Sequence, residues 1–117
     1  IKRNAETLGV PGLKIVEGQA PNVFSDIEIP PDVVFLGGGV SVPGLLEACW
    51  GELSNGGRLV ANGVTAEAEQ TLLQFQKKYD GDLIRFSISR SRLIGTVEKF
   101  SVLKPMMAVT QLVVEKN

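Results

Sequence analysis

The stretch Asp32-Val33-Val34-Phe35-Leu36-Gly37-Gly38-Gly39, DVVFLGGG, runs an apolar, strand-like segment straight into three glycines. A short continuous apolar run of this kind is the pattern of a strand buried on both faces in a parallel sheet. Glycines after such a strand serve either a tight turn or a ligand that approaches the main chain. The neighbouring sequence decides between them.

Downstream, Ser41 reads as a helix N-cap, and Leu45, Leu46, Cys49, Trp50 and Leu53 form an apolar stripe at helical spacing that stops at SNGG (54–57). RLVANGV (58–64) is a second apolar strand, and Thr65 caps a helix whose first turn carries Glu67 and Glu69, where the helix dipole favours them. Leu72, Phe75 or Gln76, and Tyr79 carry that helix to YDGD (79–82). LIRFSISR (83–90) alternates apolar and polar residues and reads as an edge strand with one face less buried. Residues 91–107 read as a loop-like excursion, long enough to suspect a function. AVTQLVV (108–114) closes the chain as a strand inserted antiparallel, because no helix separates it from the strand before.

Upstream, IPPD (29–32) breaks the chain. IKRNAETLG (1–9) reads as the second half of a helix, with Ile1, Ala5 and Leu8 near one face and Gly9 as its stop. LKIVE (13–17) reads as a short strand ended by Gly18 and Pro21, with a brief helix over 21–26. Repeated β-α alternation argues for an α/β fold: a mostly parallel sheet flanked by helices, with one antiparallel strand at the end. At 117 residues a single domain, 1–117, is expected.

Composition narrows the function. With 44% hydrophobic and 21% charged residues the chain is globular in type, and no run approaches the apolar length of a membrane span. A formal net charge of -1 with scattered Lys and Arg lacks the basic footprint of a nucleic-acid binder. The one cysteine, Cys49, allows no intrachain disulfide and fits a reducing cytoplasm. The absence of histidine excludes a Ser-His-Asp triad, a histidine base and any His-ligated metal site, and no metal is expected. Three glycines without a following Gly-Lys-Ser/Thr make neither a dinucleotide fingerprint nor a phosphate loop.

The element order resembles the C-terminal two thirds of a class I S-adenosylmethionine-dependent methyltransferase, a Rossmann-like fold. LKIVEGQAPNVF (13–24) is similar to that fold's third strand and adenine-side loop, DVVFLGGG to its fourth strand, and CWGELSNGGRLVANGVT (49–65) to the following helix and fifth strand. The combination of EGQAP, FLGGG, GGRLVANGVT and ISRSR most resembles the C-terminal methyltransferase domain of the precorrin-6Y C5,15-methyltransferase (decarboxylating) family of cobalamin biosynthesis. The resemblance implies S-adenosylmethionine as cofactor and a precorrin, a carboxylated tetrapyrrole, as substrate. It implies methylation of a ring carbon coupled to loss of carbon dioxide from an acetate side chain.

Carried over residue by residue, the resemblance implies cofactor contacts from Gly18, Gln19, Ala20, Pro21 and Gly37. It implies substrate contacts from Gly38, Gly39, Asn62, Thr65, Arg90 and Arg92, with Lys99 and Lys104 near the same patch. Guanidinium forks suit a polyanion. Each has a plainer alternative: a strand-ending turn for 18–21, a glycine turn for 37–39, a helix cap for Thr65, and solvated surface arginines. Cys49 and Trp50 fall on the apolar stripe and are expected in the core, and no catalytic acid-base pair stands out.

The family's first two strands, its glycine-rich methionine loop and its ribose-binding acid have no counterpart here, so the chain reads as part of a longer protein. The resulting gap between strands 13–17 and 32–36 is expected to expose apolar edges, to be closed by a rearranged sheet, or to be filled by a second copy of the chain. Two other functions stay open: another class I methyltransferase, or a non-catalytic α/β binding or assembly module.

Overall fold

The computed structural model describes residues 1–117, which divide into two compact units, Ile1–Pro30 and Pro31–Asn117.

In the first unit, α1 spans Lys2–Thr7 and buries Ala5. Its end is a Schellman arrangement: Val10 N–H donates to Ala5 O at 2.8 Å and Gly9 N–H to Glu6 O at 3.1 Å, with Gly9 at φ +76°. Ile1 and Leu8 are exposed, so the apolar face expected of this helix reduces to Ala5. Residues 13–17 form no strand, correcting the expectation. No ladder partner lies beside them, and Leu13 N–H merely turns back to Val10 O at 3.1 Å. The helix expected over 21–26 is a single 3-10 turn, Phe24–Asp26, after a cis Ala20–Pro21 bond.

The second unit holds a four-stranded sheet. Its strands are β1 (Val33–Leu36), β2 (Arg58–Gly63), β3 (Asp82–Phe86) and β6 (Val109–Glu115), in the order β1-β2-β6-β3. β1 pairs parallel with β2, and β6 pairs antiparallel with both β2 and β3, so three strands point one way and the last is inserted against them. Leu59, Ala61 and Gly63 of β2 stand in register with Val114, Leu112 and Thr110 of β6, and all six share one buried face.

That face is covered by α3 (Ala66–Tyr79), which buries Ala68, Leu72 and Phe75. A Cβ at Gly63 would stand 2.7 Å from the Ala68 Cβ, so the missing side chain lets the helix start lie directly on the strand. α2 (Leu45–Glu52) buries Leu45, Leu46 and Cys49, and Leu53 just beyond it is buried too. It meets α3 through Trp50, whose half-buried ring lies 5.5 Å from Phe75, edge to face, and 4.6 Å from Tyr79. Lys116 closes the end of α2, its Nζ donating to Trp50 O at 2.8 Å and Leu53 O at 2.7 Å.

Several expectations change here. α2 starts after Gly44 (φ +79°) rather than at Ser41, because Val42 N–H closes a turn onto Gly39 O and Pro43 has no N–H to continue it. β1 is neither buried nor central. It is an edge strand with Val33 62% and Phe35 63% exposed, since nothing pairs along its far side. The sheet therefore keeps a regular order with one apolar edge open instead of rearranging.

The strand expected at 83–90 is two: β3 ends at Phe86, and β4 (Ser89–Ile94) leaves for a separate sheet. The excursion at 91–107 is mostly a hairpin, with β4 paired to β5 (Phe100–Pro105) from Ser89↔Pro105 to Ile94↔Phe100. Met106 N–H donates to Ile88 O at 2.8 Å across the base of that hairpin.

Candidate functional site

The carboxyl ends of β1 and β2 and the start of α3 enclose a cleft of about 230 Å³. Gly37, Gly38, Gly39, Val40 and Ser41 form one wall; Asn62, Gly63, Val64, Thr65, Ala68 and Val109 complete it. Gly39 has φ +74°, a conformation that a side chain resists, and a Cβ on Gly37 would lie 3.1 Å from the Phe35 ring. Gly38 has neither constraint: no heavy atom lies within 4 Å of the position its Cβ would take. The fold leaves this middle glycine free, and it borders the cleft. Its bareness suits a ligand packed against the main chain.

Thr65 is shown as the N-cap of α3, its Oγ1 accepting from Ala68 N–H at 3.1 Å. Asn62 accepts at Oδ1 from Gln111 Nε2 at 2.9 Å, directly across the β2–β6 ladder. The start of α3 is further tied down by Glu69, which pairs with Arg85 of β3 and also accepts from the buried Thr110 hydroxyl at 3.3 Å. Glu69 thus does more than complement the helix dipole.

A second cleft, of about 520 Å³, lies at the base of the β4–β5 hairpin, lined by Arg90, Arg92, Lys104, Pro105, Met106 and Met107. Val64 and Val109 line both clefts, so the two adjoin. Arg90 stands opposite Lys104 in the hairpin register, and neither they nor Arg92 has a salt-bridge partner. Like charges facing each other across a ladder are destabilising on their own. An anionic ligand would relieve the cost. Lys99 lies in the hairpin's connecting turn, outside this cleft.

The structure therefore gathers Gly37, Gly38, Gly39, Asn62 and Thr65 in one cleft and Arg90 and Arg92 in the adjoining one. Gly18, Gln19, Ala20 and Pro21 belong to the first unit, where a Cβ on Gly18 would collide with Val23, a local reason for that glycine. Sequence reading missed Ser41, which it takes for a helix cap, and Val64, Val109, Met106 and Met107, which belong to ordinary apolar patterns until the hairpin base brings them together. No group of His, Cys, Asp and Glu is arranged for a metal ion, and burial pushes the Cys49 thiol above its ordinary pKa.

Residues 1–116 match the family model described as the precorrin methyltransferase domain. The chain belongs to that family. A precorrin-6Y C(5,15)-methyltransferase [decarboxylating] from Sinorhizobium sp is 46% identical over 95% of the chain, which spans 26% of that relative's length. A crystal structure assigned as a precorrin-6Y C5,15-methyltransferase domain from Corynebacterium diphtheriae is 42% identical with a TM-score of 0.89, over 98% of this chain and 66% of that one. The C-terminal domain of precorrin-6Y C5,15-methyltransferase from Rhodobacter capsulatus is 31% identical with a TM-score of 0.79, over 98% and 60%. The fold is part of the α/β, Rossmann-like fold of class I S-adenosylmethionine-dependent methyltransferases, with four strands in its main sheet.

Proposed function

We propose that the domain serves methyl transfer from S-adenosylmethionine to a ring carbon of a precorrin, coupled to loss of carbon dioxide from an acetate side chain, in cobalamin biosynthesis. The observation that carries this reading is the junction of two clefts. A glycine rim on which the main chain is bare adjoins, through Val64 and Val109, a cleft with three unpaired cations. A tetrapyrrole bearing acetates and propionates is flat, apolar across its ring and anionic at its rim. Met106 and Met107 supply adaptable apolar surface for the ring, and the Arg90 and Arg92 forks suit the carboxylates.

S-adenosylmethionine supplies an electrophilic methyl group when bound. Gly18, Gln19, Ala20, Pro21 and Gly37 are assigned to it, and Gly38, Gly39, Asn62, Thr65, Arg90 and Arg92 to the substrate. An electron-rich pyrrolic carbon is its own nucleophile, so the residues here need only hold carbon and methyl in line and keep water out. No histidine or acidic base is required for that step. The enzyme is placed in the cytoplasm, with tetrapyrrole rather than nucleic acid as its partner and a second copy of the chain as a further partner.

The test is transfer of labelled methyl from S-adenosylmethionine to precorrin-6Y, with release of carbon dioxide, by the enzyme as its own gene encodes it. Transfer that falls at least tenfold with Arg90→Ala and Arg92→Ala together supports the reading. Transfer to an unrelated small molecule or RNA, with none to precorrin-6Y, would sink it.

A further inference from the structure

Asn62 is the sole side-chain amide on the glycine-lined cleft, and its neighbour Gln111, which does not line the cleft, holds it from the facing strand. A side-chain amide carries one acceptor oxygen and one NH2 group with two donors. With Gln111 Nε2 donating to Asn62 Oδ1 at 2.9 Å, one of the oxygen's two lone pairs is engaged and the oxygen is turned to Gln111, which leaves the NH2 group on the side away from Gln111. Both residues sit on the sheet face opposite α3, half-buried, where water competes only in part for the bond. The two are also cross-strand partners in register, so the bond follows from the ladder itself.

We propose that Gln111 is a positioning residue that sets the orientation of the Asn62 amide, so that the cleft offers a hydrogen-bond donor. The cleft then selects a ligand atom that accepts, a carbonyl or carboxylate oxygen, and disfavours one that donates, such as a ring N–H. This inference rests on reading the cleft as a ligand site.

The test uses the 15N-labelled chain and uroporphyrin, a fluorescent tetrapyrrole octacarboxylate. Without ligand, the Gln111 side-chain NH2 signals show the slowed exchange of a bonded amide and lose it in Asn62→Ala, whereas those of Asn62 exchange freely. Added uroporphyrin shifts the Asn62 NH2 signals. Gln111→Glu can only accept, so it draws the Asn62 NH2 toward itself and turns the oxygen to the cleft, weakening porphyrin binding roughly tenfold.

In the Asn62→Ala background the same Gln111→Glu change alters binding less than about twofold, which separates the effect from plain charge repulsion. Slowed exchange at Asn62 instead of Gln111, or tight binding by Gln111→Glu, overturns the assignment. Failure of the unsubstituted chain to bind, or of Asn62→Ala to weaken binding, removes the ligand-site reading beneath it. The ligand-free amide signals show which of the two has failed.

Discussion

The three glycines after β1 are alike in sequence and different in cause. Gly39 needs its positive φ, whereas Gly38 has open space where a side chain would go. Gly39→Ala should lower stability by about 1 kcal/mol or more, from the strain of placing a side chain there. Gly38→Ala should change stability by less than about 0.5 kcal/mol and still weaken ligand binding; paired thermal melts and porphyrin titrations check both. Thr65→Ala, which removes a cap bond of 3.1 Å, should cost about 1 kcal/mol in denaturant unfolding.

Cys49 is buried, and its raised pKa means that the unfolded chain ionises first. Its contribution to stability is complete below the unfolded thiol's pKa and is lost as the pH climbs from there through the folded value. Iodoacetamide should alkylate the folded protein far more slowly than the unfolded one. Equal rates would contradict the buried thiol.

At the scale of elements, legibility followed hydrophobic periodicity. The stripe Leu45, Leu46, Cys49, Trp50, Leu53 and the capped run Thr65–Tyr79 are readable because each helix buries one face: Leu45, Leu46, Cys49 and Leu53 are buried and Trp50 half-buried, and Ala68, Leu72 and Phe75 are the buried residues of the second run. The hairpin β4–β5 is not so readable. SRSRLI and FSVLKP leave Leu93, Phe100 and Leu103 exposed, so neither strand shows the in-out contrast that marks a strand on a core. LKIVE erred in the opposite direction, its strand-like composition finding no ladder partner.

The start of α2 was misread because Ser41 looks like a cap, while Pro43 and Gly44 delay the helix to Leu45. Leu72, fully buried against the sheet, should cost about 2–5 kcal/mol when cut to Ala, measured by denaturant unfolding. Arg90 and Arg92 have no ion-pair partner and Arg90 faces Lys104, so replacing both with Ala should leave the melting temperature unchanged or slightly raised.

Across the whole molecule, half of the proposed site is a consequence of topology. β1 and β2 run parallel, so their carboxyl ends and the start of α3 meet at one rim, and DVVFLGGG and RLVANGVT were legible as that rim for this reason. The other half depends on a hairpin folding back beside Val64 and Val109, a long-range event that local patterns do not encode. On the proposed reading of Gly37 as a cofactor contact, the bare edge of β1, with Val33 and Phe35 exposed, gives the methyl donor no wall from a neighbouring strand. Calorimetric titration of the 117-residue chain with S-adenosylmethionine is accordingly expected to give binding weaker than micromolar.

In the proposed function, the cationic cleft at the hairpin base holds a carboxylated tetrapyrrole beside the glycine rim. Fluorescence titration of the chain with uroporphyrin at rising salt, for the unsubstituted protein and for Arg90→Ala with Arg92→Ala, tests it most directly. Saturable binding that weakens with salt, and is lost in the double variant while the fold melts as before, is expected. Equal binding by both proteins, or none by either, would contradict it.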